Sequence, residues 1–333
     1  MVSRELIASP LAGEAASGSE RVGGASRIAA TALFLLALFL HVPASAQTAA
    51  PVVVGSKIDT EGALLGNIIA AVLSGNGIAV TRRIQLGPTE IVRKAVLAGQ
   101  IDIYPEYTGN GRIFFRGEDP TVWRDAARGY ERVKALDFAQ NRLVWLGASP
   151  ADNSWAIAVR GDLAKAQRLA TLEDFARYVS GGGPVKLAAS AEFVESAGAL
   201  PAFQSAYGFK LRRSQLLVLA GGDTAATIRA AAEGTSGVNA AMAYGTDGAL
   251  AALGLVALAD SKSAQVVYRP APVVRAAVLD RTPAIRRLLD PVFARLSLDV
   301  LRTLNARIAV DGMDAKAVAV AFLDGGLPGG AKK

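Results

Sequence analysis

The chain has no cysteine, and its one histidine, His41, lies within an N-terminal apolar segment. Without thiols there are no disulfides, thiolate nucleophiles or cysteine metal sites. Once that segment is removed, no histidine is left for a triad or an ordinary zinc centre. No cofactor or metal is therefore expected, and lipid attachment at a signal-peptidase cysteine is excluded. Aromatic residues make up only 6% of the chain, so the places where they recur carry information. Dense blocks of positive charge are also missing. The net charge of +7 is scattered in single residues and in pairs such as Arg82-Arg83, Arg212-Arg213 and Arg286-Arg287. No basic patch is interleaved with aromatics, so nucleic acid is not an expected partner.

What is present begins with a leader. Arg27 precedes the apolar run "IAATALFLLALFL", and small residues at Ala44 and Ala46 suit cleavage before Gln47. The run is short for a membrane span. Residues 1–46 are thus expected to be a signal peptide with a long N-terminal region, and the remainder to be released into a periplasm. Arg4, Arg21 and Arg27 balance Glu5, Glu14 and Glu20, so the mature chain keeps its basic charge. With 333 residues, 51% of them hydrophobic, it can form one large or two medium domains without covalent staples.

Beyond the leader, short apolar runs alternate with segments of helical period. "PVVVGS" reads as a buried strand, and Leu64, Leu65, Ile68, Ile69 and Val72 form one face of a helix that Asp59 or Thr60 can cap. Gly99 closes a second helix before the strand "IDIY". A helix is expected over about Val122 to Gln140, a capping box at Thr171 and Asp174, a helix broken near Pro201, and helices from about Pro283 to Leu323. This alternation predicts α/β architecture with largely parallel sheets and ligands at the carboxyl ends of strands. Polar and aromatic residues recur at those ends: Ser56-Lys57, Pro105-Glu106-Tyr107 and Thr246-Asp247.

Four stretches, "VGSKIDTEGALLGNII", "DIYPEYTGNG", "LAASAEF" and "AMAYGTDG", occur in this order and spacing. With them, residues 51–325 resemble the substrate-binding proteins of ABC transporters for osmoprotectants. The resemblance implies a type II periplasmic binding protein fold, α/β, with two lobes hinged around a cleft. The chain would cross between lobes near Asn153 to Arg160 and near Gly248 to Asp260. Residues 47–153 plus 254–325 would form the first lobe, 154–253 the second, and 326–333 a flexible tail. It further implies a small-molecule quaternary ammonium ligand such as glycine betaine, an ABC permease in the inner membrane as partner, and a monomer.

A trimethylammonium group has diffuse charge and no N–H donor, so aromatic faces hold it, each worth about 0.5–2 kcal/mol. A carboxylate at the ligand's other end needs a cation or convergent donors. The resemblance carries Tyr107 over as one cage wall, with Trp155 and Tyr244 as the second and third, and Lys57 as the carboxylate partner. Asn110 is a polar neighbour in the turn, Tyr104 reads as structural, and Glu106 reads as an acceptor that fixes the loop. Two departures stand out. Ser196 occupies a position where many relatives carry an arginine, and "LAGGDTAATIRA" lacks an aromatic, leaving Asp223 and Thr224 as polar contacts in that wall. Both predict low affinity for betaine or a different ligand. The alternatives are a receptor of the same fold for another solute, such as an amino acid, and a secreted hydrolase built on Ser56-Lys57 or on Asp102 with Glu106.

Overall fold

The computed structural model describes residues 50–219 and 224–326. The leader, its His41 and its cleavage site, as well as Asp223 and tail residues 327–333, lie outside them. Two five-stranded sheets organise the described chain. The first contains β1 (Val52–Lys57), β2 (Val80–Gly87), β3 (Ile103–Tyr107), β4 (Leu143–Trp145) and β10 (Pro270–Arg275), in the order β2-β1-β3-β10-β4. The second contains β5 (Trp155–Arg160), β6 (Leu187–Ser190), β7 (Leu216–Leu219), β8 (Ala240–Tyr244) and β9 (Leu255–Ala257), in the order β7-β6-β8-β5-β9.

The sheets are mixed, which corrects the expectation of largely parallel pairing. β1 pairs in parallel with β2 and β3, and β6 with β7 and β8. β10 is antiparallel to β3 and β4, and β5 to β8 and β9. The reason is the crossing itself. β5 and β10 are entered from the opposite lobe, so each starts at the cleft. They therefore run against β3 and β8, whose carboxyl ends point to it: Pro270 faces Tyr107, and Trp155 faces Tyr244.

The return crossing falls later than residue 254. β9 hydrogen-bonds to β5, and Ala264 packs in the second sheet's core. Val267 N–H then donates to Trp123 of the first lobe. Sequence could not place this boundary, because β9 is only three residues long and its partner strand lies about a hundred residues away. The two crossing segments hold each other. Asn153 N–H donates to the Tyr268 carbonyl at 3.0 Å, Tyr268 N–H to Asp152 Oδ1 at 2.8 Å, and Ser154 Oγ to the Val266 carbonyl at 2.5 Å. Gly245 lies against them, and a Cβ there would come 2.2 Å from the Asp152 carbonyl.

The helix Thr60–Gly75 starts where Asp59 Oδ1 accepts from Gly62 N–H at 2.7 Å, so Asp59 is its cap. The expected apolar face is buried, and so are residues on the other sides, among them Ala63, Ala70 and Leu73. The cause is the chain's far end: Phe293, Leu301 and Phe322 complete this core over the helix. The Thr171–Asp174 capping box forms with both of its hydrogen bonds. The expected helix at Val122 splits into a 3-10 turn, Pro120–Arg124, and a helix, Ala126–Asn141, because Asp125 caps the latter by accepting from Arg128 N–H. The expected break near Pro201 lies at residues 196–199, and Pro201 sits in the first turn of the helix Leu200–Tyr207, where its missing N–H costs nothing.

Candidate functional site

The carboxyl ends of β1 and β3 face those of β6 and β8 across a cavity of about 690 Å³. Lys57, Tyr107, Asn110, Trp155, Ser196, Thr224 and Tyr244 all line it, so these seven candidates meet at one cavity, while Asp223 lies outside the described residues. Their state differs from the expectation in instructive ways.

Trp155 and Tyr244 are direct partners across the antiparallel β5–β8 pair. Opposed residues on one face of a sheet stand about 5 Å apart, so their rings meet. They stack with centroids 4.4 Å apart and planes inclined by 27°. Phe193 also packs against Trp155, with ring centroids 5.3 Å apart. The two expected walls are thus one braced aromatic slab. Tyr107, only 6% exposed, lies on the opposite lobe, and Lys57 Nζ sits 4.5 Å above its ring.

Lys57 is not a free cation. Its Nζ donates to Glu106 Oε1 at 2.5 Å, and both side chains are buried. The same oxygen accepts from Asn110 Nδ2 and from Tyr107 N–H, both at 2.7 Å, while Oε2 accepts from the Tyr104 hydroxyl at 3.2 Å. Glu106 therefore ties the turn together as expected, and Tyr104 is wholly buried. Thr224 is engaged too: its hydroxyl donates to Asp247 Oδ1 at 3.1 Å, and Asp247 Oδ2 accepts from Tyr244 N–H at 2.7 Å.

The hydrolase pairs do not assemble. Ser56 Oγ donates to the Lys57 carbonyl and accepts from Gln85 N–H, while the Lys57 amine binds Glu106. Asp102 binds Arg275 and Arg281 at 3.2 Å, while Glu106 binds Lys57.

Sequence reasoning passed over Glu61, Arg112, Asn153, Tyr268 and Asn305, all of which line the cavity. Glu61 is held by side chains from three distant segments. It accepts from the Tyr107 hydroxyl at 2.8 Å and from Asn153 Nδ2 at 3.3 Å on one oxygen, and from Asn305 Nδ2 at 2.8 Å on the other. Thr246 Oγ1 in turn donates to Asn153 Oδ1 at 2.7 Å. The available signal was an acid in the first turn of a helix otherwise rich in apolar residues, which looked like an ordinary dipole partner. Tyr268 offered only a lone aromatic in a long loop.

Burial pushes the Glu61 carboxyl above its ordinary value, more than the hydrogen bonds from Thr246, Tyr107 and Asn305 pull it down, and Asp59 adds to the rise. The folded chain thus retains a proton that the unfolded chain has released. Stability should fall as pH rises from about 4.3, the ordinary glutamate value, through the higher folded one. Glu61→Gln removes this dependence. In urea titrations the stability of the native chain relative to the variant is expected to decline over that interval; a difference flat with pH would refute the assignment.

Comparison with known proteins adds an independent line. Residues 50–325 match the family model described as the substrate binding domain of ABC-type glycine betaine transport systems. The chain is 57% identical over 288 residues to the glycine betaine-binding protein YehZ of Escherichia coli K12, covering 86% of this chain and 94% of that protein. It is 32% identical to a glycine-betaine-binding protein of Pseudomonas aeruginosa, covering 81% of this chain and 86% of the relative. Among solved structures, apo YehZ from E. coli superposes with a TM-score of 0.76 at 58% identity, over 83% of this chain and 99% of that one.

Proposed function

We propose, for a chain that belongs to the substrate-binding domains of ABC-type glycine betaine transport systems, that it captures a quaternary ammonium solute in the cavity between its lobes and delivers it to an inner-membrane ABC permease. The observation that carries this reading is the pairing of a stacked Trp155–Tyr244 slab on one lobe with Tyr107 on the other, around one cavity. Such a site suits a cation that cannot be hydrogen-bonded, because ring faces attract diffuse positive charge without needing a donor. The assigned contacts are Lys57, Tyr107, Asn110, Trp155, Ser196, Thr224 and Tyr244. Three of these polar groups are already bonded to Glu106 or Asp247. That supports weak binding, since the ligand must compete for them.

Ligand that touches both lobes favours the closed form by its differential affinity for that form. The protein acts without catalysis, as a monomer in the periplasm. The first lobe is residues 47–153 with the returning segment; the second starts at residue 154 and, given the pairing of β9, extends past residue 257. Among the described residues no helix is long and apolar enough to cross a membrane. A thermal-shift panel of glycine betaine, choline, carnitine, proline betaine and amino acids tests the reading. A rise in melting temperature with the quaternary ammonium compounds alone is expected. A rise confined to amino acids would replace this function with that of an amino-acid receptor.

A further inference from the structure

A zwitterion such as glycine betaine presents a carboxylate as well as a cation, and the cavity lining has two basic side chains, Lys57 and Arg112. Lys57 is neutralised by Glu106 at 2.5 Å, and its amine is further occupied by the Tyr107 ring. A second carboxylate approaching Lys57 would be repelled by Glu106, which already holds the amine. Arg112 stands differently. Among the described residues it has no carboxylate within ion-pair distance, and its side chain is exposed at the cavity.

Its position is set by the fold. Arg112 belongs to the first lobe, in the short helix Gly111–Phe114 that follows the turn after β3. Its guanidinium reaches across to the second lobe. A Cβ built on Gly198 would lie 2.9 Å from Arg112 Nη1, so the bare backbone of Gly198 provides the space that the guanidinium uses. Ser196, two residues earlier, lines the same wall. On its own lobe the guanidinium lies near the Tyr268 hydroxyl, partly offsetting the rise that burial imposes on that phenol. Tyr268 itself packs over Gly109, where a Cβ would come 2.7 Å from its ring. Arg112, which lines the cavity, therefore spans from the YTGN turn to the opposite lobe.

We infer that Arg112 is the specificity-determining cation that receives the anionic end of the solute, which moves Lys57, assigned above as a contact, from the carboxylate to the wall behind it. The inference rests on the function proposed above and deepens it. A guanidinium presents two parallel N–H donors to a carboxylate, a geometry that an ammonium lacks. Being anchored on one lobe and reaching the other, it makes recognition of the carboxylate depend on closure. Lys57 becomes an internal brace that holds Glu106 and the Tyr107 ring.

Calorimetry with glycine betaine and with choline, which carries the ammonium but no carboxylate, tests this on the mature chain and on Arg112→Gln and Arg112→Lys. Arg112→Gln is expected to weaken glycine betaine about tenfold or more, the loss of charge-assisted hydrogen bonds. Choline is expected to change less than about twofold, since cation–π contacts alone hold it. Arg112→Lys should fall between, restoring charge but not the fork. Unchanged betaine affinity in Arg112→Gln would overturn the inference, as would equal losses for both ligands, which would make Arg112 a mere closure contact. If the unaltered chain binds neither compound, the proposed function fails first, and this assignment with it.

Discussion

A chain carrying Tyr107→Ala together with Trp155→Ala is expected to lose affinity for glycine betaine by roughly 30-fold to 1000-fold, two desolvated cation–π walls being worth about 2–4 kcal/mol. The two residues stand on opposite lobes, so each alanine removes a different side of the proposed cage. Trp155 is partly buried, and its loss also frees Tyr244 from the 4.4 Å stack that orients it. Tyr107 is 6% exposed and its hydroxyl holds Glu61, so truncation there also leaves a void and an unpaired acceptor. Stability should drop with it, by about 3–5 kcal/mol for a buried aromatic. Tyr107→Phe separates the two effects, because it keeps the ring and loses only the bond to Glu61. Calorimetry below the unfolding transition, with circular dichroism to verify folding, measures the result. Unaltered affinity in a folded double variant would reject the cage.

Glu106→Ala is expected to destabilise the chain by about 3–5 kcal/mol, because it strands a buried ammonium. Lys57 is 6% exposed and Glu106 fully buried. Removing the carboxylate leaves Lys57 Nζ, Asn110 Nδ2 and Tyr107 N–H without their shared acceptor. A chain of this size should lose about 5–9 °C in melting temperature. Adding Lys57→Met should recover much of the loss, since replacing both members of a buried pair leaves no charge unpaired. The exposed pair Arg132–Glu118 is the contrast: solvent screens it, and Glu118→Ala should shift melting little. Melting curves of these variants decide the matter. A Glu106→Ala chain as stable as the native one would show that the buried pair does not hold the turn.

How the site came to be legible is clearest at β5 and β8. Their apolar runs ended in Trp155 and Tyr244, and the period of a strand puts a terminal aromatic on a definite face. That the two rings stack against each other follows from an antiparallel register across 89 positions of chain, which no local pattern encodes. The YPEYTG turn was legible as a unit, and the role of Glu106 as its acceptor was read from its position. What the local sequence did not convey was that Lys57, 49 residues earlier, spends its charge on that acceptor. Glu61 stands in the first turn of its helix with no local sign of Asn305, 244 residues downstream, which binds it.

The sequence by itself determined the elements, the alternation that makes an α/β chain, and which strand ends carry aromatic and polar side chains, because propensity and periodicity act within a few residues. The tertiary structure alone decided the direction of β5 and β10, the lateness of the return crossing and the partner of each charge. Those depend on which distant segments are packed together out of water, where an ion pair such as Lys57 with Glu106 forms only because both charges are buried side by side.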